Sequence, residues 1–418
     1  MRGGVKVLKT IVFINTQKSG SSREAIKQAE RMGYFTVLFT NREHYIEHRR
    51  EFPDIHLIQL IDIDDLDKLR KAIKKLQMRS LDIKCIISFT DHYCHIAAQL
   101  AEDFHIGRFS REAIAIMENK IKSREVLART SYVPQFIEID SSSTIDDETI
   151  TSYLPAVVKC PTSTGSKDVL KISNLDDYKQ KSEMLFSKYP NDPIILEEFL
   201  EGPQYLVECF VKDSSVHIVA IFEQIVTDTQ RFIITAYNLI LTDDTAFEEK
   251  LKKAVVEIIQ IHGMTNGTCH LEMRLVKDNW KLIEINPRIS GGGMNNMIKA
   301  GFGINYVEET LKFALGFQPN LHPKYRKHVY CQHIIINEEG VLVKVTGKKR
   351  ALNSPHVEYV YVKPKKSAYL IPPQSMGDRY AYVIATGRTE IEAKKNALQA
   401  ASEIKFIISN SSDDESNN

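Results

Sequence analysis

The alternation of apolar and polar positions changes character along the chain, and the changes mark its organisation. Leu8–Ile14 is a continuous β-rich run, the pattern of a strand covered on both faces. A helical period follows over 22–32, with Ser22 as the expected cap and Gly33 ending it. Further strands are expected at 36–40 and 85–89, and helices at 64–78, 92–104 and 110–118. Strand–helix alternation over 1–118 predicts a parallel sheet with crossovers, an α/β domain. From 119 onward the pattern is α+β. A basic helix at 119–129 leads to strands at 156–160, 194–200, 205–211 and 216–226 and a long helix at 247–262. A hairpin over 268–276 and 281–286 turns at Lys277-Asp278-Asn279. Residues 324–408 read as a small α+β domain with strands at 330–336 and 341–345 and a helix at 390–404. The polar tail 409–418 has nothing to bury and is expected to be disordered.

Composition narrows this picture. The chain has 418 residues, 43% hydrophobic and 26% charged, with 55 basic against 54 acidic side chains. A net charge of +1 provides no global field for a nucleic acid or an anionic membrane, and neither is expected as a partner. The six cysteines are scattered without C-x-x-C spacing and read as reduced thiols, which points to a cytoplasmic protein. No apolar run reaches the roughly 18 residues of a membrane span. The first turn, Asn15 to Ser21, fails both the dinucleotide-binding glycine pattern and the P-loop pattern.

The chemistry concentrates on the hairpin. Strand periodicity puts Glu284 and Asn286 on one face, with Glu272, His270 and Arg274 facing the same way on the neighbouring strand. Leu271, Met273, Ile283 and Ile285 are expected on the other side. Two carboxylates and an amide oxygen are hard ligands suited to Mg²⁺ held against phosphates. Arg288 adds a bidentate cation, and Gly291-Gly292-Gly293 lets backbone N–H groups approach an anion. Lys159 closes an apolar strand beside a hydroxyl-rich loop, a position from which a lysine reaches phosphates. Glu197, followed by Phe199 and Leu200, suits an adenine amino group, although a plain edge strand has the same pattern.

Taken in order, these elements resemble the ATP-grasp superfamily over about 85–323. The resemblance implies a pre-ATP-grasp parallel-sheet domain (1–118), a two-lobed ATP-grasp domain (119–323, mobile lid about 145–208) and a C-terminal domain (324–408). Gly377-Asp378-Arg379 and 381–387 look like the corresponding region of bacterial L-amino-acid ligases that make dipeptides. By position, the resemblance implies ATP contacts at Lys120, Lys159, Gly165, Ser166, Glu197, Phe199, Leu200 and Gln204. It implies metal ligation by Glu272, Glu284 and Asn286, with one or two Mg²⁺ ions and Mn²⁺ as an alternative. Arg288 and Gly291 would be catalytic, and Gly292 would line the substrate site with Arg288. Asp168 stands where the family loop often has glycine.

The implied reaction makes an aminoacyl-phosphate from ATP and an amino acid, then a peptide bond to a second amino acid. Glu223 is the candidate for the substrate ammonium group, and Asp91 or Asp378 for a cationic side chain. The resemblance also implies a homodimer. Two other readings stand beside it. One is a carboxylase or another carboxylate–amine ligase, although no residue marks a bicarbonate pocket. The other is a nucleotide-binding regulator without turnover, against which the intact Glu272, Glu284, Asn286 and Arg288 set argues.

Overall fold

The computed structural model describes residues 7–143, 145–163, 165, 167–227, 232–241 and 244–409. The first region is a four-stranded parallel sheet in the order 57–60, 35–40, 8–14, 81–87. Helices Leu66–Met78 and Cys94–Asp103 pack with Val12, Ile14, Val37 and Phe39 on one of its faces. Ile11, Phe13 and Leu38 point the other way, into a core shared with the centre of the molecule. The strand Leu57–Leu60 was not foreseen. It is a short, half-exposed edge strand, so it lacks the continuous apolar run of its neighbours. The fourth strand is Leu81–Ile87, earlier than the expected 85–89.

The centre is an eight-stranded antiparallel sheet. It runs from Asn279–Asn286 through Gly267–Val276, Gln204–Lys212, Ser215–Val226 and Ile234–Leu239 to His328–Ile334, Ala381–Gly387 and Val357–Val362. The last three of these strands come from the C-terminal region, which therefore extends the central sheet. One face carries the helix Thr245–Ile261, with Leu251, Val255 and Ile258 against Leu271 and Met273. On the other, Met294–Phe302 and Tyr306–Ala314 lie between the sheet and the first domain.

A separate antiparallel sheet, ordered 136–139, 194–198, 156–159, 169–172, carries its own small core of Ile139, Ile150, Val158, Leu185 and Leu196. The strand Gln204–Lys212 belongs to the central sheet, so a lid boundary at 208 would cut through it. Ser409 ends the strand Lys405–Ser409, paired with Gly340–Thr346, and the expected disorder of 410–418 lies outside the described residues.

Local chemistry explains several boundaries. Asp65, Asn119 and Asp244 accept hydrogen bonds from the first turns of their helices. Ser22 does not cap. The helix Ser21–Arg31 starts from Gly20, and the Ser22 hydroxyl accepts from the Gln17 N–H instead. The hairpin turn has φ of 45° at Lys277 and 65° at Asp278, matching the twist of its strands. No described helix is long and apolar enough to cross a membrane, and all six cysteines are buried and free.

The small sheet joins the central one through Glu201-Gly202-Pro203. Gly202 has φ of 135°, and a Cβ there would sit 2.0 Å from the Leu275 carbonyl oxygen. Gly202→Ala should therefore destabilise the fold by about 2 kcal/mol or more, lowering the melting temperature by roughly 4 °C. Thermal unfolding followed by circular dichroism checks this.

Candidate functional site

The hairpin brings its acids together. Glu272 lies directly opposite Glu284, and His270 opposite Asn286. A β-bulge after Glu272 pairs Met273 with Leu282, so Ile283 is the extra residue. This corrects the expected alternation. Leu282 takes the core position, while Ile283 turns to line the cleft beside Glu272 and Glu284.

His270 fixes the third candidate ligand. Its Nδ1 lies 2.8 Å from the Arg288 carbonyl oxygen, and its Nε2 lies 3.3 Å from the Asn286 amide nitrogen. Burial, then Arg288, pushes this imidazole down to about 4, so it is neutral. The neutral ring donates from Nδ1 and accepts at Nε2, which turns the Asn286 amide oxygen away from it. Burial, then Glu284, pushes the Glu272 carboxyl up to about 7. Burial also acts against Glu284, but Lys120 and Lys159 hold it below its ordinary value. Two half-buried carboxylates on facing strands, with Asn286 two residues beyond Glu284, fit a hard divalent cation such as Mg²⁺, which would relieve their repulsion.

A cleft between the small sheet and the hairpin is lined by Lys120, Lys159, Gly165, Glu197, Phe199, Leu200, Gln204, Glu272 and Glu284. Lys120 lies 3.6 Å from Glu284 and donates to the carbonyls of Pro161 and Ser163, at 3.1 and 2.7 Å. It thus tethers the loop over the acids. Lys159 and Arg124 both bind Glu197, at 2.6 and 2.7 Å. Burial would raise the Glu197 carboxyl, but the two cations hold it at about 2. Arg124 is 2% exposed and also donates to the Ile283 carbonyl. The sequence shows it only as one of several basic residues on its helix, because its partners come from distant strands.

Other positions carry constraints that spacing does not reveal. The Phe199 N–H donates to Pro155, and the Leu200 carbonyl accepts from Arg274. The Gln204 amide is held at both ends, donating to Gln224 at 2.8 Å and accepting from Arg274. These side chains line the cleft while serving its framework. Gly165 accepts from the Met376 N–H at 3.1 Å, so the loop touches the C-terminal region. Ser166 lies outside the described residues. Asp168 has φ of 61°, which an aspartate tolerates, and its carboxylate binds Lys188 and the Tyr189 hydroxyl. It anchors the base of the loop where a glycine would only bend it.

Arg288 and the glycines line a second, wider cavity of about 410 Å³. Arg288 Nε donates to Asp91 at 2.6 Å, and its Nη1 to the Ile289 carbonyl at 3.0 Å. Gly291 and Gly292 face the same space. The loop is held from below by Glu208, which accepts from the Ser290 N–H and hydroxyl, and from the first domain by Ser21. Gly20 comes so close that a Cβ on it would lie 3.2 Å from the Gly292 nitrogen.

Of the three candidates for substrate cations, Asp91 alone lines a cavity. Glu223 sits on the face opposite Gln224, near Tyr205 and Tyr330, and lines neither cavity. Period-two alternation gives the inward position to Gln224. Asp378 is spent on its own turn, accepting from the N–H groups of Gln374 and Ser375 and from the Ser375 hydroxyl. Asp91 lines the cavity but is paired with Arg288.

Comparison with known proteins bears on the family and the fold. Residues 152–296 match the ATP-grasp domain family, 26–106 the ATP-grasp N-terminal domain and 332–409 the L-amino acid ligase C-terminal domain 2. An uncharacterised protein of Sinorhizobium fredii is 24% identical over 342 residues, covering 80% of this chain and 70% of that protein. The L-arginine-specific L-amino acid ligase of Bacillus subtilis is 24% identical over 246 residues, covering 56% of this chain and 59% of that enzyme. The fold is that of the L-amino acid ligase from Bacillus licheniformis. The TM-score is 0.80 at 18% identity, covering 97% of this chain and 100% of that one.

The His270 bridge generates a test. His270→Leu should weaken Mg²⁺ affinity about tenfold by freeing the Asn286 amide to rotate. Titration of Mg²⁺ in the presence of a nucleotide measures it, and an unchanged affinity would remove the bridge from the site's construction.

Proposed function

We propose, for a chain that matches the ATP-grasp domain family over 152–296 and the L-amino acid ligase C-terminal domain 2 over 332–409, the activity of an ATP-dependent carboxylate–amine ligase. In its fullest form it joins two L-amino acids through an aminoacyl-phosphate, releasing ADP and phosphate. The observation that carries this reading is the placement of the two cavities along one hairpin and the segment that follows it. Glu272 and Glu284 line the first, and Arg288 with Gly291 and Gly292 lines the second, just beyond the same hairpin.

ATP would occupy the first cleft, with Lys120, Lys159 and the Gly165 loop at its phosphates. Ser166, outside the described residues, belongs to the same proposed loop. Glu197 would accept from the adenine amino group through lone pairs that Arg124 and Lys159 leave over. Phe199 and Leu200 would border the base, and Gln204 the ribose. Glu272, Glu284 and Asn286 would hold Mg²⁺, which when bound neutralises charge on the transferred phosphoryl group.

The chain's own part is positioning and exclusion of water. Arg288, steadied by Asp91, presents its fork to the attacking carboxylate and then to the acyl-phosphate oxygens. The backbone at Gly291 and Gly292 faces the oxyanion that forms when the amine attacks. The loop at Gly165, in contact with Met376, shields the acyl-phosphate from hydrolysis. A cytoplasmic homodimer belongs to the same reading.

Incubation with ATP, Mg²⁺ and pools of acids and amines, followed by ADP release and product mass, tests the reaction. Absence of release with every pool would overturn it. Arg288→Ala should lower kcat at least a hundredfold, with nucleotide affinity within about threefold of the parent.

Lys159 gives a second expectation. Burial, opposed by Glu197, brings its ammonium down to about 8. Phosphate contact favours the charged form, so nucleotide affinity should be flat below pH 8 and fall above it, approaching tenfold per unit. Lys159→Met should flatten that profile, which calorimetry between pH 7 and 9.5 would read.

A further inference from the structure

The second cavity is strongly one-sided in charge. Its lining includes five cationic side chains, Lys18, Arg42, Arg288, Lys363 and Arg379, and one carboxylate, Asp91. Asp91 is consumed by Arg288. The other four cations lie within salt-bridge distance of no carboxylate among the described residues. Their hydrogen bonds go to neutral groups. Arg42 donates to the Thr16 carbonyl and the Gln17 amide oxygen, at 3.1 and 3.0 Å. Lys363 donates to the Gly377 carbonyl at 2.6 Å. Arg379 donates to the carbonyls of Met376 and Ile234, at 3.2 and 2.9 Å. These bonds orient the side chains, and Arg379 also acts on the Glu272 carboxylate.

His333 adds an independent sign of a built site. It lines the same cavity, is 5% exposed and has no hydrogen-bond partner at either ring nitrogen. Its ring is clamped between Tyr237 and Tyr382, with centroids 5.8 and 5.3 Å away. Burial, then Arg379, drives its pKa well below the ordinary value, so the ring is neutral with one N–H to donate. An unmet buried donor costs stability unless a ligand meets it.

We propose that the acid activated in this cavity carries a second anionic group, a carboxylate or a phosphate, and is read by Lys18, Arg42, Lys363 and Arg379 with His333 rather than through an ammonium group. The proposal rests on the ligase reading and names its donor substrate class. The arithmetic of charge supports it. Arg288 is assigned to the reacting carboxylate, and one further cation suffices for the carboxylate of an amino-acid acceptor. Cations remain beyond that number, whereas an ordinary amino-acid donor needs an acid for its ammonium group. Glu223 and Asp378 do not line the cavity, and Asp91 is already paired. The four cations come from separate parts of the fold: Lys18 and Arg42 from the first domain, Lys363 and Arg379 from the C-terminal region. The helix Ser21–Arg31 also begins at the cavity and adds its positive end. Arg379 is close enough to Glu272 to stabilise its charged form, which sets this one member of the cationic set toward the hairpin acids.

The test uses the full chain with two readouts. Calorimetry with Mg²⁺ and ADP present compares succinate, L-glutamate and O-phospho-L-serine with L-alanine and L-arginine. At least one of the dianion-bearing acids should bind about tenfold or more tightly than L-alanine and L-arginine. The preference among succinate, glutamate and phosphoserine tells carboxylate from phosphate. Lys363→Ala and Arg42→Gln should each weaken that acid about tenfold and leave L-alanine binding unchanged, and Lys363→Glu should weaken it further. Circular dichroism checks that the variants fold. The second readout is ADP release and product mass with the same acids and a pool of amines. If no acid supports release but the binding preference holds, the ligase reading fails and the anionic site stands. If L-alanine or L-arginine binds or turns over as well as the dianions, or the charge variants do not distinguish them, the anionic site is overturned.

Discussion

Two half-buried carboxylates facing each other across one strand pair set the terms for everything around them. Glu272 and Glu284 are brought opposite by the register of one strand pair, where burial and mutual repulsion both oppose their charge. The surroundings answer with cations at graded distances. Lys120 stands closest and also holds the loop above. Arg379 reaches in from the C-terminal region. Lys159 and Arg288 are each tied to an acid of their own, Glu197 and Asp91, which fixes where their charge points. A divalent cation in this frame would complete a pattern that the protein leaves electrostatically open.

The fold serves that centre by bringing three regions to it. The hairpin belongs to the central sheet, the cleft is roofed by the separate small sheet, and the wider cavity is closed by the first domain and the C-terminal strands. The contacts between these regions are short and specific. Ser21 binds the Ser290 carbonyl, Gly20 lies against Gly292, and Gly165 accepts from Met376. Each bond couples a loop that borders substrate space to a different part of the chain.

Asp168 and His270 show how second-tier contacts carry the geometry. Asp168 adopts a left-handed conformation and spends its charge on Lys188 and Tyr189, so the loop is anchored at its base rather than left free to bend. His270 is buried and neutral, and its two nitrogens join Asn286 to the Arg288 backbone. The candidate ligand and the candidate catalytic arginine therefore share one support.

The sequence by itself determined the parallel first domain, the hairpin and the meeting of Glu272 with Glu284. Local periodicity and turn chemistry suffice where partners are close in the chain. It could not show that Ile283 leaves the core, because a bulge depends on pairing and not on composition. It offered Glu223 for a substrate ammonium group, and the sheet turned Gln224 to the Gln204 side instead. It treated Asp91 and Asp378 as available, and tertiary contacts had already used both. Arg124 with Glu197, and the convergence of Lys18, Arg42, Lys363 and Arg379 around His333, were invisible along the chain. These side chains meet only after strands and loops far apart in sequence have packed. The near-zero net charge of the whole chain gives no hint of so strong a local field, because charge balance is a sum and a binding site is a position.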